Sequence, residues 1–196
     1  MKKKIAVTGG IGSGKSTVLR EISKMGYPVF SCDEIYKEII VSKAYVAEIQ
    51  EKFPKCIREG AIDRKILSEI IFQNEESRGI LNDIAHPLIM QTLFERMNNS
   101  ASDLVFAEVP LLFENNYESL FDGVIVVLRN GEERVKALIE RDHTSEEKIK
   151  SRMKTQFDYS SKQAILRYKN CNAYLLNNKG QIGDLTKEIS KIIKLL

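Results

Sequence analysis

The chain alternates between short, strongly apolar segments and longer segments whose apolar residues are spaced three or four positions apart. A segment that is apolar at nearly every position is typical of a strand buried on both faces, and the wider spacing is typical of a helix. Because the two kinds of segment follow one another in turn, the pattern predicts an α/β fold with a parallel five-stranded sheet flanked by helices. The predicted strands lie at 5–7, 29–30, 104–107, 124–128 and 174–176.

Two helical regions depart from this simple alternation. From about 34 to 99 the pattern is almost entirely helical, which predicts an insertion after the second strand. Pro87 should kink or restart the helix there, because proline lacks an N–H donor and its ring clashes with the preceding turn. Polar helices at 132–141 and 145–156 predict a mobile lid over about 131–169. The predicted core comprises about 1–33, 100–130 and 170–196, and it ends in a helix over 182–196.

The first predicted strand leads into a glycine-rich segment, Gly9 to Ser16, that fits the phosphate-binding P-loop motif G-x-x-x-x-G-K-[ST]. Glycines let several backbone N–H groups converge on one anion, and the N-terminus of the following helix adds partial positive charge. The motif predicts a P-loop NTPase-type fold that binds a nucleoside triphosphate; the alternative is a glycine-rich turn that matches by chance. Lys15 would reach the β- and γ-phosphates, and the Ser16 hydroxyl would bind Mg²⁺. The predicted nucleotide-binding residues of this segment are Gly10, Gly12, Ser13, Gly14, Lys15, Ser16 and Thr17.

Composition and charge disfavour several other classes of protein. The 196 residues carry a formal net charge of +3, and the spread of basic residues along the chain gives little support to nucleic-acid binding. No apolar run is long enough to span a bilayer, so we expect no membrane insertion and a cytoplasmic location. Three widely spaced cysteines and two histidines predict neither a disulfide framework nor a zinc site. Mg²⁺ arriving with the nucleotide is the metal that the sequence suggests.

Phosphoryl transfer needs a carboxylate that accepts the proton of the acceptor hydroxyl and cations that neutralise the transferred group. Asp33 follows the second predicted strand and is the candidate general base; the alternative is an N-cap of the next helix. Glu108 ends the third predicted strand, where it could orient magnesium or its waters, or instead cap a segment or form an ion pair. Arg141 lies at the junction of the two lid helices, where it could fold over the phosphates or remain a solvated surface arginine.

Taken together, these residues resemble the dephospho-coenzyme A kinase family over nearly the whole chain. The extended P-loop from Thr8 to Thr17 is similar to that of the family, and Asp33 lies at the second Asp of its D-A-D motif. The other similar segments are 62–65, 70–72, 81–82, 86–89 and 110–114, with Arg141-Asp142, Gln156 and Asn177-Asn178.

The resemblance implies that the protein uses ATP and Mg²⁺ to phosphorylate the ribose 3′-hydroxyl of a small-molecule substrate, dephospho-CoA. It implies Asp33 as the base, with Lys15 and Arg141 neutralising the phosphates, and it places Asn177 in the adenine-side loop. The helical insertion would bind dephospho-CoA. The implied substrate-binding residues are Asp33, Arg64, His86 and Glu108.

Four positions depart from the family pattern. Ser31 replaces the first Asp of D-A-D, Ala137 stands where an arginine is common in the lid helix, and Cys171-Asn172 replaces the usual Ala-Asp. We expect these changes to affect the residues that position the catalytic groups and the closure of the lid. They would therefore alter the reaction rate more than the type of reaction.

Other readings of the P-loop remain open. A GTPase is disfavoured because the nearest match to its guanine-reading motif, 178–181, ends in Gln instead of a carboxylate. Another small-molecule or nucleoside monophosphate kinase would share the P-loop, the base and the arginine lid, but residues 62–89 disfavour it. A nucleotide-gated binding protein would make Asp33 a switch or capping residue.

Overall fold

The computed structural model describes residues 2–154 and 156–196. Its strands are β1 (Lys3–Thr8), β2 (Val29–Ser31), β3 (Ile57–Arg58), β4 (Ala61–Ile62), β5 (Leu104–Glu108), β6 (Gly123–Leu128) and β7 (Ala173–Asn177). Its helices are α1 (Lys15–Lys24), α2 (Cys32–Ile39), α3 (Lys43–Lys52), α4 (Arg64–Gln73), α5 (Glu75–Asn99), α6 (Gly131–Asp142), α7 (Glu146–Lys154), α8 (Lys162–Asn170) and α9 (Ile182–Leu195).

Within the described ranges, five strands form one sheet in the order β2-β5-β1-β6-β7. β1 is parallel to β5 and to β6, and β6 is parallel to β7. The prediction of a parallel five-stranded sheet flanked by helices is confirmed. Because β1 lies at the centre of the sheet, the loop that follows it opens at the carboxyl edge between β5 and β6, where parallel sheets bind ligands.

The chain divides into two compact units, and the first comprises Met1–Phe30 and Asn99–Leu196. Its core lies where α1 and α9 pack on the sheet, because all three contribute buried aliphatic side chains. The run from Val124 to Val127 is fully buried, as its unbroken apolar pattern predicted. The buried members of this core are Ile5, Val7, Val18, Leu19, Ile22, Phe106, Ile125, Val127, Leu176, Leu185, Ile189 and Ile192.

The second unit is Ser31–Asn98, and it has a hydrophobic core of its own. The helix α4 begins at Arg64 because Asp63 caps it: the Asp63 carboxylate accepts from the N–H groups of Lys65 (2.9 Å) and Ile66 (3.1 Å). The buried members of the core are Ile40, Tyr45, Ile49, Phe53, Cys56, Leu67, Leu81 and Ala85.

Two features of this second unit correct the sequence prediction. The segment 34–99 is not almost entirely helical, because β3 and β4 pair as an antiparallel hairpin whose turn residues Glu59 and Gly60 both have positive φ. Of the kink or restart expected at Pro87, the restart is wrong, since α5 runs as one helix from Glu75 to Asn99, and the kink stays a prediction. Proline removes one N–H donor, and tertiary packing outweighs that loss because α5 is buried on both sides of it, at Leu81, Ala85, Met90, Leu93 and Met97.

The region predicted as a lid contains α6, α7 and a further helix, α8, which the sequence analysis did not separate. Ser161 starts α8, because its Oγ accepts from the N–H of Ala164 at 3.1 Å. Residues 1 and 155, which the predicted core and second lid helix include, lie outside the described residues. The mobility of a lid and the three-part division of the chain stay predictions. No helix in the described part of the chain has the length and apolar character needed to cross a membrane.

Candidate nucleotide-binding site

The P-loop connects β1 to α1 at the carboxyl edge of the sheet. The N–H of Ser13 donates to the carbonyl of Gly10 (3.1 Å), and the N–H groups of Thr17 and Val18 donate to that of Gly14 (3.0 and 3.1 Å). Gly14 is the N-cap of α1 and has a φ of 95°, a left-handed conformation that strains residues with a Cβ. The loop therefore passes directly into a helix N-terminus, which is the arrangement that binds phosphate.

Polar side chains of the loop lie close to its backbone. The Lys15 ammonium donates to the carbonyl of Gly9 at 2.8 Å, and its Nζ lies 3.5 Å from the carbonyl oxygen of Gly10. The buried Ser13 Oγ has no hydrogen-bond partner within the described residues. Ser16, in the first turn of α1, is exposed. The loop thus offers a cation, an unsatisfied hydroxyl and an accessible hydroxyl around one helix N-terminus.

Asn178 holds the P-loop from the end of the edge strand β7. It follows β7, is buried, and donates from Nδ2 to the carbonyl of Ser13 at 2.9 Å. Its Oδ1 accepts from the N–H of Gly180 at 3.0 Å, which fixes the amide orientation. The residue predicted for the adenine side is its neighbour Asn177, which ends β7, is exposed and also lines the cleft described below.

Residue Ile11 is held through both of its backbone polar groups. Its N–H donates to Oε1 of Gln156, and its carbonyl accepts from Nε of Arg134, both at 2.8 Å. Gln156 follows α7 and Arg134 lies in the first turns of α6, more than 120 residues from the loop along the chain. Gln156 belongs to the segments similar to the family, but Arg134 is one of several arginines on a polar helix and carries no sequence signal.

Tyr159, in the same unit, contacts the last residue of β1. Its hydroxyl lies 3.2 Å from Oγ1 of Thr8, the last residue of β1. Burial raises the pKa of Tyr159 to about 12, so its hydroxyl is neutral at ordinary pH. The neighbouring Asp158 carboxylate accepts from the Ser160 hydroxyl at 2.6 Å, and this hydrogen bond lowers the pKa of Asp158. This segment supports the end of β1 from which the P-loop departs.

These elements surround one cleft of about 510 Å³. Its walls come from the P-loop, from the end of β6 and the start of α6, and from the two segments around residues 159 and 178. A volume of this size is in the range of small-molecule sites. The lining residues are Gly10, Ser13, Val127, Leu128, Arg129, Asn130, Gly131, Glu133, Arg134, Asp158, Tyr159, Ser160, Asn177, Asn178 and Lys179.

Two other predicted residues of the first unit, Glu108 and Arg141, are not among those that line this cleft. Glu108 ends β5, as predicted, and pairs in register with Val7 of β1, two residues before the P-loop begins. Arg141 lies near the end of α6, exposed, and its guanidinium forms an ion pair with Asp142 at 2.6 Å. That hydrogen bond lowers the pKa of Asp142 and raises that of Arg141. The roles predicted for Glu108 and Arg141 stay predictions.

Asp33, Arg64 and His86 belong to the second unit. Asp33 is exposed in the first turn of α2, whose N-cap position is occupied by Ser31, so the capping alternative for Asp33 is wrong. Arg64 is the exposed first residue of α4. His86 is half-buried in α5, and burial lowers its pKa, which favours the neutral imidazole. Their predicted roles in catalysis and substrate binding stay predictions.

No cluster of three or more histidine, cysteine, aspartate or glutamate side chains suited to a metal occurs among residues 2–154 and 156–196. Mg²⁺ in phosphoryl-transfer sites is held by few protein groups together with phosphate oxygens and water. The exposed Ser16 hydroxyl at the start of α1 is an oxygen ligand of the kind such an ion takes.

Comparison with known proteins identifies the family. The sequence profile of the dephospho-CoA kinase family matches residues 3–184. A dephospho-CoA kinase of Fusobacterium nucleatum is 32% identical over 194 residues, covering 98% of this chain and 97% of that protein. One of Thermus thermophilus is 31% identical over 189 residues, covering 96% and 89%. A solved Thermus thermophilus structure superposes with a TM-score of 0.84 at 30% identity, covering 100% of this chain and 98% of the other. With its P-loop, parallel sheet and matched length, this chain belongs to the dephospho-CoA kinase family.

Proposed function

We propose that this protein transfers the γ-phosphoryl group of ATP to the ribose 3′-hydroxyl of dephospho-CoA, giving CoA and ADP. The observation that carries the proposal is the P-loop, which runs into the N-terminus of α1 beside a cleft of nucleotide size. Membership of the dephospho-CoA kinase family supplies the acceptor. The cytoplasmic location expected from the sequence stays a prediction.

Triphosphate binding rests on the loop itself. Backbone N–H groups at the start of α1 and the partial charge of the helix favour an anion at this position. The ammonium of Lys15 exchanges its carbonyl partner Gly9 for the β- and γ-phosphate oxygens. Asn177 and the adjoining segment 178–179 line the opposite side of the cleft, where the adenine would lie.

The chemical step needs a base, cations and a bound acceptor. Asp33 accepts the proton of the ribose hydroxyl, and its exposed position in the first turn of α2 leaves the carboxylate accessible. Lys15 and Arg141 neutralise the charge that develops on the transferred group. The second unit binds dephospho-CoA, with Arg64 as a cation for its phosphates and neutral His86 as a hydrogen-bonding group. Glu108 lies at the carboxyl end of β5, beside the strand that leads into the P-loop, where its carboxylate would contact the acceptor or water bound to Mg²⁺.

Mg²⁺ is proposed as the metal, with the Ser16 hydroxyl as its protein ligand. When bound, the ion would neutralise negative charge on the phosphates. The Ser16 hydroxyl at the start of α1 would hold it, and the N–H groups of the loop would bind the phosphates.

The test is ATP consumption with dephospho-CoA as acceptor, with and without Mg²⁺, beside a panel of nucleoside monophosphates and small hydroxylated acceptors. We expect Mg²⁺-dependent turnover with dephospho-CoA alone and CoA as product. Lys15→Ala should abolish turnover while the chain stays folded, and Lys187→Ala, an exposed lysine of α9, is the matched control. Turnover with a different acceptor would show that dephospho-CoA is not the substrate. ATP binding without turnover of any acceptor would point to a nucleotide-gated binding protein.

A further inference from the structure

The strongest unexplained feature of the first unit is the contact between the start of α6 and the P-loop. Arg134 donates through Nε to the carbonyl of Ile11, and Gln156 accepts from the N–H of the same residue. Both side chains belong to the predicted lid, Arg134 near its beginning in α6 and Gln156 after α7. A single loop residue is therefore tied at both backbone polar groups to the region 131–169.

The guanidinium of Arg134 occupies space that only a glycine leaves open. A Cβ built on Gly10 would lie 2.4 Å from Nη2 and 2.9 Å from Cζ of Arg134. Gly10 itself has no positive φ, so a side chain at this position would meet the guanidinium without straining the backbone. Arg134 thus packs directly on the backbone of the loop.

The side chain of Arg134 also borders the cleft. Among the described residues, the carbonyl of Ile11 is its hydrogen-bond acceptor, and the Arg134 side chain lines the cleft with Gly10 and Ser13. Guanidinium has five donors in a planar fork, so the bond through Nε leaves the Nη groups able to donate to an anion. The Asp158 carboxylate also attracts this guanidinium, so a bound phosphate would share it with Asp158. Burial lowers the pKa of Arg134 from its usual range, but an arginine remains charged at any physiological pH.

We propose that Arg134 is a positioning residue for the nucleotide, which holds the P-loop in its phosphate-binding conformation together with Gln156 and presents a cation beside Gly10. The inference rests on the proposed function in so far as ATP is the ligand. It goes beyond that function because it assigns nucleotide affinity to a side chain outside the P-loop.

The first test is nucleotide affinity, measured by calorimetry with ATP and with ADP in the absence of an acceptor. Arg134→Gln should raise the Kd for ATP by about tenfold or more, as expected for loss of a charge-assisted hydrogen bond. In turnover assays the KM for ATP should rise while the KM for dephospho-CoA stays within about twofold. Arg20→Gln, which removes an exposed arginine of α1 in the same unit, should change neither constant.

A second variant separates positioning from folding. Gly10→Ala should displace the guanidinium at little cost in stability, because the atoms it meets are the far end of a flexible side chain. It should weaken ATP binding in the wild type and add little in the Arg134→Gln background, since the displaced group is then already absent. Gln156→Ala removes the acceptor for the N–H of Ile11 and should lower the affinity for ATP.

Two results would overturn the proposal. An Arg134→Gln protein with a lower melting temperature and unchanged Kd for ATP would show a purely structural tie. A Gly10→Ala effect of equal size with and without Arg134 would show that the added methyl group acts on the nucleotide directly. Because affinity is measured without an acceptor, normal ATP binding with no phosphorylation of dephospho-CoA would refute the proposed function and leave this inference standing.

Discussion

Replacing Gly14 by alanine tests whether the P-loop conformation depends on the contact with Asn178. Gly14 combines a φ of 95° with a close neighbour: an added Cβ would lie 2.2 Å from Nδ2 of Asn178. That amide nitrogen donates to the carbonyl of Ser13, so it must move and give up a buried hydrogen bond. We therefore expect two separate costs, one from the backbone and one from the displaced side chain.

Their sizes follow from these contacts. A residue with a Cβ in the left-handed region costs about 1–2 kcal/mol, and a buried polar group that loses its partner costs about 1–3 kcal/mol. The free energy of unfolding should therefore fall by about 2–5 kcal/mol, which is a large share of the stability of a typical domain. The affinity for ATP should fall as well, because Ser13 and the start of α1 would be displaced together.

Urea unfolding measures the first effect, and calorimetric titration with ATP measures the second. Gly26→Ala is the matched control, since Gly26 has a φ of 89° but nothing within 4 Å of an added Cβ. It should lose only the backbone part, about 1–2 kcal/mol. Equal losses for Gly14→Ala and Gly26→Ala, with unchanged ATP affinity in both, would refute the role given to Asn178.

The remaining predictions concern the base, the lid arginine and a buried thiol. Asp33→Asn should leave ATP binding near normal and reduce kcat by roughly 10²-fold or more, as loss of a general base does; Glu34→Gln is the control, and an unchanged kcat would exclude the base role. Arg141→Ala should lower kcat with a change in unfolding free energy of at most about 0.5 kcal/mol, because the side chain is exposed; unfolding with intact specific activity would contradict this. Burial raises the pKa of the Cys171 thiol from 9.0 to about 11, so folding favours the protonated form. The contribution of this pKa difference to stability is complete below pH 9.0 and is lost as the pH rises through about 11. Cys171→Ala should therefore make the unfolding free energy less dependent on pH over that window. An unchanged pH dependence would contradict the raised pKa of Cys171.

The P-loop and the sheet were predictable because both depend on local pattern. The G-x-x-x-x-G-K-S spacing specifies a loop with few alternative conformations, and the unbroken apolar run at 124–128 specifies a strand buried on both faces. The hairpin of β3 and β4 was missed since each strand has only two residues, too few for a period to register. The continuity of α5 was left open because the missing N–H of Pro87 allows either a kink or a restart, and burial of α5 on both sides of Pro87 excludes the restart.

The sequence by itself determined the chemistry at the loop, since the glycines, Lys15 and Ser16 are contiguous and their spacing carries the geometry. Only the tertiary structure decided which distant residues hold that loop. Arg134, Gln156 and Asn178 reach Ile11 and Ser13 across more than 120 residues of chain, and nothing local to any of them specifies the contact. The physical reason is that a hydrogen bond to a backbone carbonyl or N–H depends on where the packed core brings the two segments. A periodic pattern predicts which face of an element is buried, but not which backbone atom will lie within 2.8 Å of a given side chain.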